Sequence, residues 1–169
     1  MFPDGLRTQA ANLLEAYQDA GWMLATAESC TGGLIAGLLT EIPGSSAVME
    51  RGFVTYTNAA KQAMLGVEEA TLAEHGAVSA PVAKAMADGA LARAPVQAAV
   101  AVTGVAGPGG GTRDKPVGRV EFALAVQGRE TRAIRHDLTG DRGQIRLASV
   151  ALALDLFHSA LGHSRPAQA

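Results

Sequence analysis

Reactive chemistry could lie in the segment TAESCTGG, residues 26–33, which separates two apolar stretches. An apolar run, a polar turn and a second apolar run together predict a strand, a turn and a helix. A hydroxyl in such a turn lies near unpaired backbone N–H groups that can stabilise an oxyanion. Gly32 and Gly33 would let a substrate approach the backbone. Ser29 is therefore a candidate nucleophile, although Ser29 or Thr31 could also be a simple helix cap, and the segment is not the G-x-S-x-G nucleophile elbow.

A serine nucleophile needs a neighbouring base, and the segment FVTYTNAAK, residues 53–61, offers one. Lys61 comes one helical turn after a strand-like run and has Ala and Met neighbours. Partial burial there would lower the pKa of its amine and leave neutral amine available near pH 7. On spacing alone, Lys61 could instead be an exposed helix-surface lysine, and Tyr56 an ordinary strand residue. None of the four histidines lies in a context that suggests a base.

Two later segments could bind phosphate. The loop TGVAGPGGGTRDKPVG, residues 103–118, has five glycines between positions 104 and 111. Glycine-rich loops can bring backbone donors close to a phosphate, although neither a Walker A loop nor a dinucleotide fingerprint is present, and a flexible crossover is the alternative. In GDRGQIR, residues 140–146, Arg142 and Arg146 lie one turn apart near a predicted helix start. Such a pair can hold a phosphate, or it can be two solvated surface arginines.

Composition excludes several classes of function. There are 14 basic and 16 acidic residues with no long basic run, so neither nucleic acid nor a membrane is expected as a partner. No cluster of His, Cys or carboxylate residues has metal-ligand spacing, so no metal is predicted. Cys30 is the single cysteine, which fits a reducing compartment. No signal peptide or membrane-length apolar run is evident, and we expect a cytoplasmic protein.

Alternating strand and helix patterns predict a single α/β domain over residues 1–169, with residues 1–7 and 162–169 flexible. Strands are predicted at 22–27, 52–57, 118–127 and 130–138, with a hairpin at Gly128-Arg129. A further strand is predicted in the apolar run AAVAVTGVAGPGGG, which enters the glycine-rich loop. Helices are predicted at 6–17, 31–40, 58–65 and 80–94, the last capped by Ser79, and from Asp141 onward. This order favours a three-layer α/β/α sandwich with a mixed, mostly parallel sheet.

Five segments in this order resemble the CinA C-terminal domain family, the nicotinamide-nucleotide amidases. They are AESCTGG, GFVTYTNAAKQAMLGV, GAVS, AVTGVAGPGGGTRDKPVG and GDRGQIR, and the resemblance runs from about residue 8 to about residue 160. It implies hydrolysis of the carboxamide of nicotinamide mononucleotide to nicotinate mononucleotide and ammonia, in pyridine-nucleotide recycling. It also implies a serine–lysine hydrolase that needs no metal or organic cofactor. Longer family members carry a further N-terminal domain, so this chain is expected to be a stand-alone form.

The resemblance also implies roles for individual residues. Ser29 would be the nucleophile, Lys61 its general base and Tyr56 a residue that assists or orients this pair. Arg142 would contact the phosphate, although Arg146 lies close enough to be the alternative. The remaining residues implied to bind substrate are Cys30, Thr31, Gly32, Gly33, Thr103, Gly104, Ala106 and Gly107.

Two alternatives stay open from the sequence. Cys30 could be the nucleophile, because a thiol at a helix N-terminus can be reactive, although it has no evident histidine partner. The chain could also be a nucleotide-binding module without amidase activity, since family members are associated with competence and DNA-damage operons. A homodimer or larger homo-oligomer is plausible for a small Ala-rich enzyme of this kind.

Overall fold

The computed structural model describes residues 2–162, which form five strands and six α-helices. The strands are β1 (Leu24–Glu28), β2 (Met49–Val54), β3 (Ala98–Gly104), β4 (Arg119–Val126) and β5 (Arg132–Asp137). The helices are α1 (Asp4–Asp19), α2 (Leu34–Glu41), α3 (Asn58–Leu65), α4 (Glu69–His75), α5 (Ala80–Arg93) and α6 (Arg142–Gly162).

The strands form one open sheet in the order β2-β1-β3-β4-β5. β1 pairs in parallel with both β2 and β3, whereas β3 pairs antiparallel with β4, and β4 with β5. The mixed sheet is confirmed, but the expectation that it is mostly parallel is not, because parallel and antiparallel pairs are equal in number. The predicted hairpin joins β4 and β5, with Gly128 at a φ of 73° that favours glycine.

Helices cover both faces of the sheet, which confirms the three-layer arrangement. Side chains alternate along β3, so that Val100 and Val102 join the core beneath α1, α2 and α6, while Ala99 and Ala101 join the core beneath α3, α4 and α5. The second face is built largely from alanine, and this allows α5 to pack closely against the sheet. Two different cores therefore hold the three layers together.

The three parallel strands end at the same edge of the sheet. Ser29 follows β1, the segment 55–61 follows β2, and Thr103 and Gly104 close β3. In open α/β sheets, ligands bind in the crevice beyond the carboxyl ends of the strands. The topology therefore brings together the segments that the sequence singled out for chemistry.

Some element boundaries differ from those predicted. Residues 2–7 do not match the expected flexible segment, because the Phe2 side chain is buried and α1 already begins at Asp4. Gly162 is the last residue of α6, and residues 163–169, also expected to be flexible, lie outside the described part. α4 was not predicted, because it has seven residues and only Leu72 is buried.

The final helix, α6, is long and apolar enough to cross a membrane by length and composition alone. Core helices of soluble proteins meet the same criterion, and α6 packs against β3 and β4 with Ile145, Val150 and Phe157 buried. Its start agrees with the predicted cap, since the Asp141 carboxylate accepts a hydrogen bond from the N–H of Gln144 at 2.9 Å.

Candidate active site

Ser29 lies in a tight turn between β1 and α2. Its N–H donates to the carbonyl of Val102 at 2.9 Å, and its own carbonyl accepts from the N–H of Gly32 at 3.1 Å. Gly32 and Gly33 have φ values of 61° and 92°, a conformation that other residues rarely adopt. These contacts fix the backbone that carries the Ser29 hydroxyl, and Ser29 as a whole residue is 8% exposed.

Lys61 reaches this hydroxyl from the opposite layer of the molecule. Its Nζ lies 3.0 Å from Ser29 Oγ and 2.9 Å from the carbonyl oxygen of Thr55. The Thr57 side chain caps α3 by accepting from the N–H of Ala60 at 3.1 Å, and this sets the direction in which the helix leaves β2. The structure therefore places the two residues of the expected dyad at hydrogen-bond distance.

The environment of the Lys61 amine favours its neutral form. Only 1% of Lys61 is exposed, and within residues 2–162 it forms no ion pair. Burial lowers the pKa of Lys61 from its ordinary value of 10.5, because water no longer solvates the ammonium form, while Cys30 has a smaller opposing effect. A neutral amine beside a serine hydroxyl can accept its proton.

Glu28, immediately before Ser29, was not singled out by the sequence analysis. Its side chain is fully buried and accepts hydrogen bonds from the N–H groups of Gly33 at 3.0 Å, Ile35 at 3.1 Å and Ala36 at 2.9 Å. A carboxylate at a helix N-terminus satisfies unpaired donors and interacts favourably with the helix dipole. Glu28 thus occupies the amides of α2 that we expected to stabilise an oxyanion, and leaves only donors of the turn for that purpose.

Thr31 supplies such donors within the turn. Its N–H and its Oγ1 have no hydrogen-bond partner within residues 2–162, and the residue is fully buried. Buried donors without partners are rare in folded proteins and cost free energy. Such donors are suited to a ligand that supplies the missing acceptor.

A cavity of about 200 Å³ opens above the dyad. Of the residues that the sequence analysis assigned to the site, those lining the cavity are Ser29, Cys30, Tyr56, Lys61, Thr103, Gly104, Ala106 and Arg142. The other four, Thr31, Gly32, Gly33 and Gly107, are not among the lining residues. Asn58, Ala77 and Val78 also line the cavity and were missed, although the GAVS segment contained two of them.

The loop after β3 is fastened to the wall on the opposite side of the cavity. Thr103 Oγ1 donates to the carbonyl of Ala77 at 2.8 Å, and Lys115 Nζ donates to the carbonyl of His75 at 2.5 Å. Gly76 between these two carbonyls has a φ of 71°. The glycine-rich loop is thus tied down by side chains rather than forming a free crossover.

Arg142 and Tyr56 meet at the mouth of the cavity. Arg142 donates to Tyr56 Oη at 3.1 Å and to the carbonyl of Gly107 at 2.9 Å. Tyr56 is 58% exposed, so both side chains are accessible from solvent. Arg142 and Lys61 are the only Lys, Arg, Asp or Glu residues among those lining the cavity within residues 2–162, which suits an anionic ligand.

Arg146 does not line this cavity. Its guanidinium donates to the carbonyl of Cys30 at 3.1 Å and to that of Thr31 at 2.8 Å. Arg142 is therefore the better placed of the two arginines for a phosphate.

The environment of Cys30 opposes its use as a nucleophile. Burial raises the pKa of its thiol to about 11, and the charge of Glu28 adds to the effect, while Arg146 and Lys61 act in the opposite direction. The thiol is therefore protonated near neutral pH, and the thiolate is the reactive form. Within residues 2–162, no group of three or more His, Cys, Asp or Glu side chains is placed to hold a metal ion.

Comparison with known proteins gives one consistent result. The family model of the CinA C-terminal domain matches residues 6–161. The nicotinamide-nucleotide amidohydrolase PncC of Escherichia coli K12 is 51% identical over 140 residues, which cover 83% of this chain and 85% of that protein.

Two further relatives extend the comparison. A CinA-like protein of Syntrophotalea carbinolica is 48% identical over 163 residues, and this chain, matched over 96% of its length, spans only 39% of that longer protein. The crystal structure of the competence/damage inducible protein CihA from Agrobacterium tumefaciens superposes with a TM-score of 0.93 at 49% identity, covering 95% of this chain and 98% of that one.

Proposed function

Because the chain belongs to the CinA C-terminal domain family, we propose that it hydrolyses the carboxamide of nicotinamide mononucleotide, using Ser29 and Lys61. The products are nicotinate mononucleotide and ammonia, and the reaction serves pyridine-nucleotide recycling. The observation that carries the proposal is the 3.0 Å distance between Ser29 Oγ and a buried Lys61 Nζ. The name of the Escherichia coli relative supports the choice of substrate.

The first half of the reaction forms an acyl-enzyme. The neutral amine of Lys61 donates one N–H to the carbonyl of Thr55 and accepts the proton of Ser29 through its lone pair. Ser29 Oγ then attacks the carboxamide carbon, and the carbonyl oxygen becomes an oxyanion. Lys61, now an ammonium, returns the proton to the amide nitrogen, the C–N bond breaks, and ammonia leaves.

The second half of the reaction hydrolyses the ester that joins the acyl group to Ser29 in the acyl-enzyme. A water molecule enters the place left by ammonia, and neutral Lys61 removes a proton from it as its oxygen attacks the acyl carbon. The bond to Ser29 Oγ breaks, the serine recovers a proton from Lys61, and the carboxylate product is released. One amide and one water give one carboxylic acid and one ammonia, so the atoms balance without a cofactor.

Charge explains the preference for a mononucleotide. The guanidinium of Arg142 at the mouth of the cavity suits a phosphate, and its hydrogen bond to Tyr56 Oη helps to fix its position. The positive pyridinium ring would lie near Lys61, where a second positive charge further disfavours the ammonium form. Single-residue roles for Cys30, Thr103, Gly104 and Ala106 in contacting the nucleotide are part of this proposal.

Ammonia release from nicotinamide mononucleotide tests the function directly. We expect turnover by the wild-type protein and a loss of at least about 10³-fold in Ser29→Ala and Lys61→Ala, since nucleophile and base act as one unit. Lys61→Arg should be equally inactive, because a guanidinium is not a base near neutral pH. Lys84→Ala, at a partly exposed lysine on α5, is the matched control and should retain full activity.

Three other results would reject all or part of the proposal. Equal activity in the wild-type, Ser29→Ala and Lys61→Ala proteins would exclude the dyad. Loss of turnover in Cys30→Ala with folding intact would favour the thiol instead. Thermal stabilisation by nicotinamide mononucleotide without ammonia release would indicate a nucleotide-binding module rather than an amidase. Cytoplasmic location and a homo-oligomeric state remain predictions.

A further inference from the structure

Arg146 makes an unusual pair of contacts for a helix side chain. From the second turn of α6, it donates through Nε to the carbonyl of Cys30 and through a terminal nitrogen to the carbonyl of Thr31. Both carbonyls belong to the two residues that follow the nucleophile. Arg142, one helical turn earlier, points instead into the mouth of the cavity. The two arginines therefore serve different parts of the site.

The geometry of the peptide group shows which way the N–H groups of this turn point. A trans peptide group is planar, and its C=O and N–H point in opposite directions. Because the carbonyl of Cys30 points at Arg146, the N–H of Thr31 in the same peptide points away from it. The next peptide obeys the same rule, since the carbonyl of Thr31 points at Arg146 and the N–H of Gly32 donates to the carbonyl of Ser29 on the other side.

This orientation matters because the amides of α2 are already in use. Glu28 accepts from the N–H groups of Gly33, Ile35 and Ala36, so they cannot also donate to an oxyanion. The N–H of Thr31 remains without a partner within residues 2–162. A hydrogen bond from a cation to the carbonyl of a peptide also polarises that peptide, which strengthens its N–H as a donor.

We propose that Arg146 is a positioning residue for the amidase reaction, and that it holds the turn after Ser29 so that an unpaired N–H of this turn faces the oxyanion. The inference rests on the proposed function, because it needs an oxyanion to form. Arg146 does not touch the substrate. It acts through the turn, from which the substrate receives the hydrogen bond.

The test compares two arginines on one helix in the full-length protein, with nicotinamide mononucleotide as substrate. Removing one oxyanion donor costs about 10²- to 10³-fold in kcat, and a donor that is only misplaced costs less. We therefore expect Arg146→Met to lower kcat about 10- to 100-fold with KM changed less than about threefold. Arg142→Met should instead raise KM, because it removes a contact to the phosphate.

Two further variants separate positioning from loss of stability. Tyr17→Phe removes a buried hydrogen bond to the carbonyl of Phe157, also on α6, and should lower Tm without changing kcat. In Arg146→Ala, added methylguanidinium should restore part of kcat by binding the same carbonyls, which a general loss of packing would not allow. Arg146→Lys keeps one donor and should lie between wild type and Arg146→Met, so that it decides the question if the larger truncations do not fold.

The outcomes distinguish this inference from the proposed function. A wild-type protein that releases no ammonia removes both. An active wild type with an unchanged kcat in Arg146→Met or Arg146→Lys overturns the positioning role alone. A raised KM with an unchanged kcat would also overturn it, because Arg146 would then be a substrate contact.

Discussion

At the scale of single residues, the site depends on a lysine that is buried without a carboxylate partner. Taking an ammonium ion out of water is unfavourable, and a buried lysine lowers its pKa unless an opposite charge compensates. Within residues 2–162, the Lys61 amine has only two hydrogen-bond partners, the hydroxyl of Ser29 and the carbonyl of Thr55. Neither partner carries a negative charge that would compensate the buried ammonium, so burial favours the neutral amine that the proposed mechanism needs.

The pH dependence of kcat/KM follows from this lowered pKa. The proposed mechanism requires neutral Lys61, so activity should rise with pH through the pKa of the free enzyme's lysine and then level off. Because burial lowers that pKa, the rise should be centred below the ordinary value of 10.5. Steady-state rates between pH 5 and 11 measure it. A rise centred at or above 10.5, or activity that falls with increasing pH below 10.5, would contradict the assignment of Lys61 as the base.

At the scale of elements, α3 holds the amine in place and α5 holds α3. Gly89 on α5 faces the end of α3 so closely that an added Cβ would lie 2.1 Å from the carbonyl oxygen of Leu65. Leu65 lies one helical turn after Lys61 on the same helix. The position of the amine therefore depends on the absence of a side chain at residue 89.

Gly89→Ala should consequently damage both stability and catalysis. Overpacking of a core typically costs about 1–3 kcal/mol, which for a domain of this size lowers Tm by roughly 2 to 12 °C. Because α3 must shift to relieve the contact, we also expect a lower kcat in the protein that remains folded at 25 °C. Thermal melts and steady-state kinetics on the same samples measure the two effects.

Gly5→Ala provides the matched control for that change. Gly5 is also helical, but an added Cβ would meet nothing within 4 Å. Alanine favours helix over glycine by about 0.5–1 kcal/mol, so this variant should be slightly more stable with unchanged kcat. If Gly89→Ala melted at the same temperature as the wild type and Gly5→Ala, the close contact between α5 and α3 would be contradicted.

Sequence patterns predicted helices and strands best where the side chains of an element are buried on one face or on both faces. The strand before the glycine-rich loop, the hairpin and the Ser79 cap of α5 agree with the structure, because hydrophobic period and turn chemistry are local signals. β2 was predicted at 52–57 but ends at Val54, since Thr55 and Thr57 instead bond Glu28 and cap α3. Such a boundary depends on contacts between distant segments.

The site was predicted in part for the same reason. Ser29, Lys61 and the glycine-rich loop carry local signals of residue type and spacing, and family resemblance placed them in order. The roles of Glu28 and Arg146 have no local signal, because each depends on which backbone groups of the turn are left unpaired. A carboxylate just before the turn, at the end of an apolar strand, was the one visible hint.

At the scale of the whole molecule, the site joins the two outer layers across the sheet. Lys61 belongs to the layer of α3, α4 and α5, whereas Arg142 and Arg146 belong to α6 on the opposite face. The nucleophile turn lies between them at the sheet edge. Neither layer forms the site alone, so the dyad assembles only when both cores are packed.

The free energy of unfolding should therefore depend on pH through the buried amine of Lys61. In the unfolded chain Lys61 titrates near 10.5, while in the folded protein its pKa is lower. Between these two values the unfolded state binds more protons, so the free energy of unfolding rises with pH through this window. Below the window both states carry the proton, and the contribution of Lys61 stays constant at its lower value.

Lys61→Met isolates this contribution, because other titrating groups are common to both proteins. The stability of the wild type relative to Lys61→Met should increase with pH up to about 10.5 and then become constant, with a slope of at most about 1.4 kcal/mol per pH unit. Urea denaturation at a series of pH values gives the difference. Lys84→Met, at a partly exposed lysine, is the matched substitution in which Lys61 is kept. A Lys61→Met difference that stays flat from pH 7 to 10.5 would mean that the folded protein keeps this amine charged, and a charged amine cannot take the proton of Ser29.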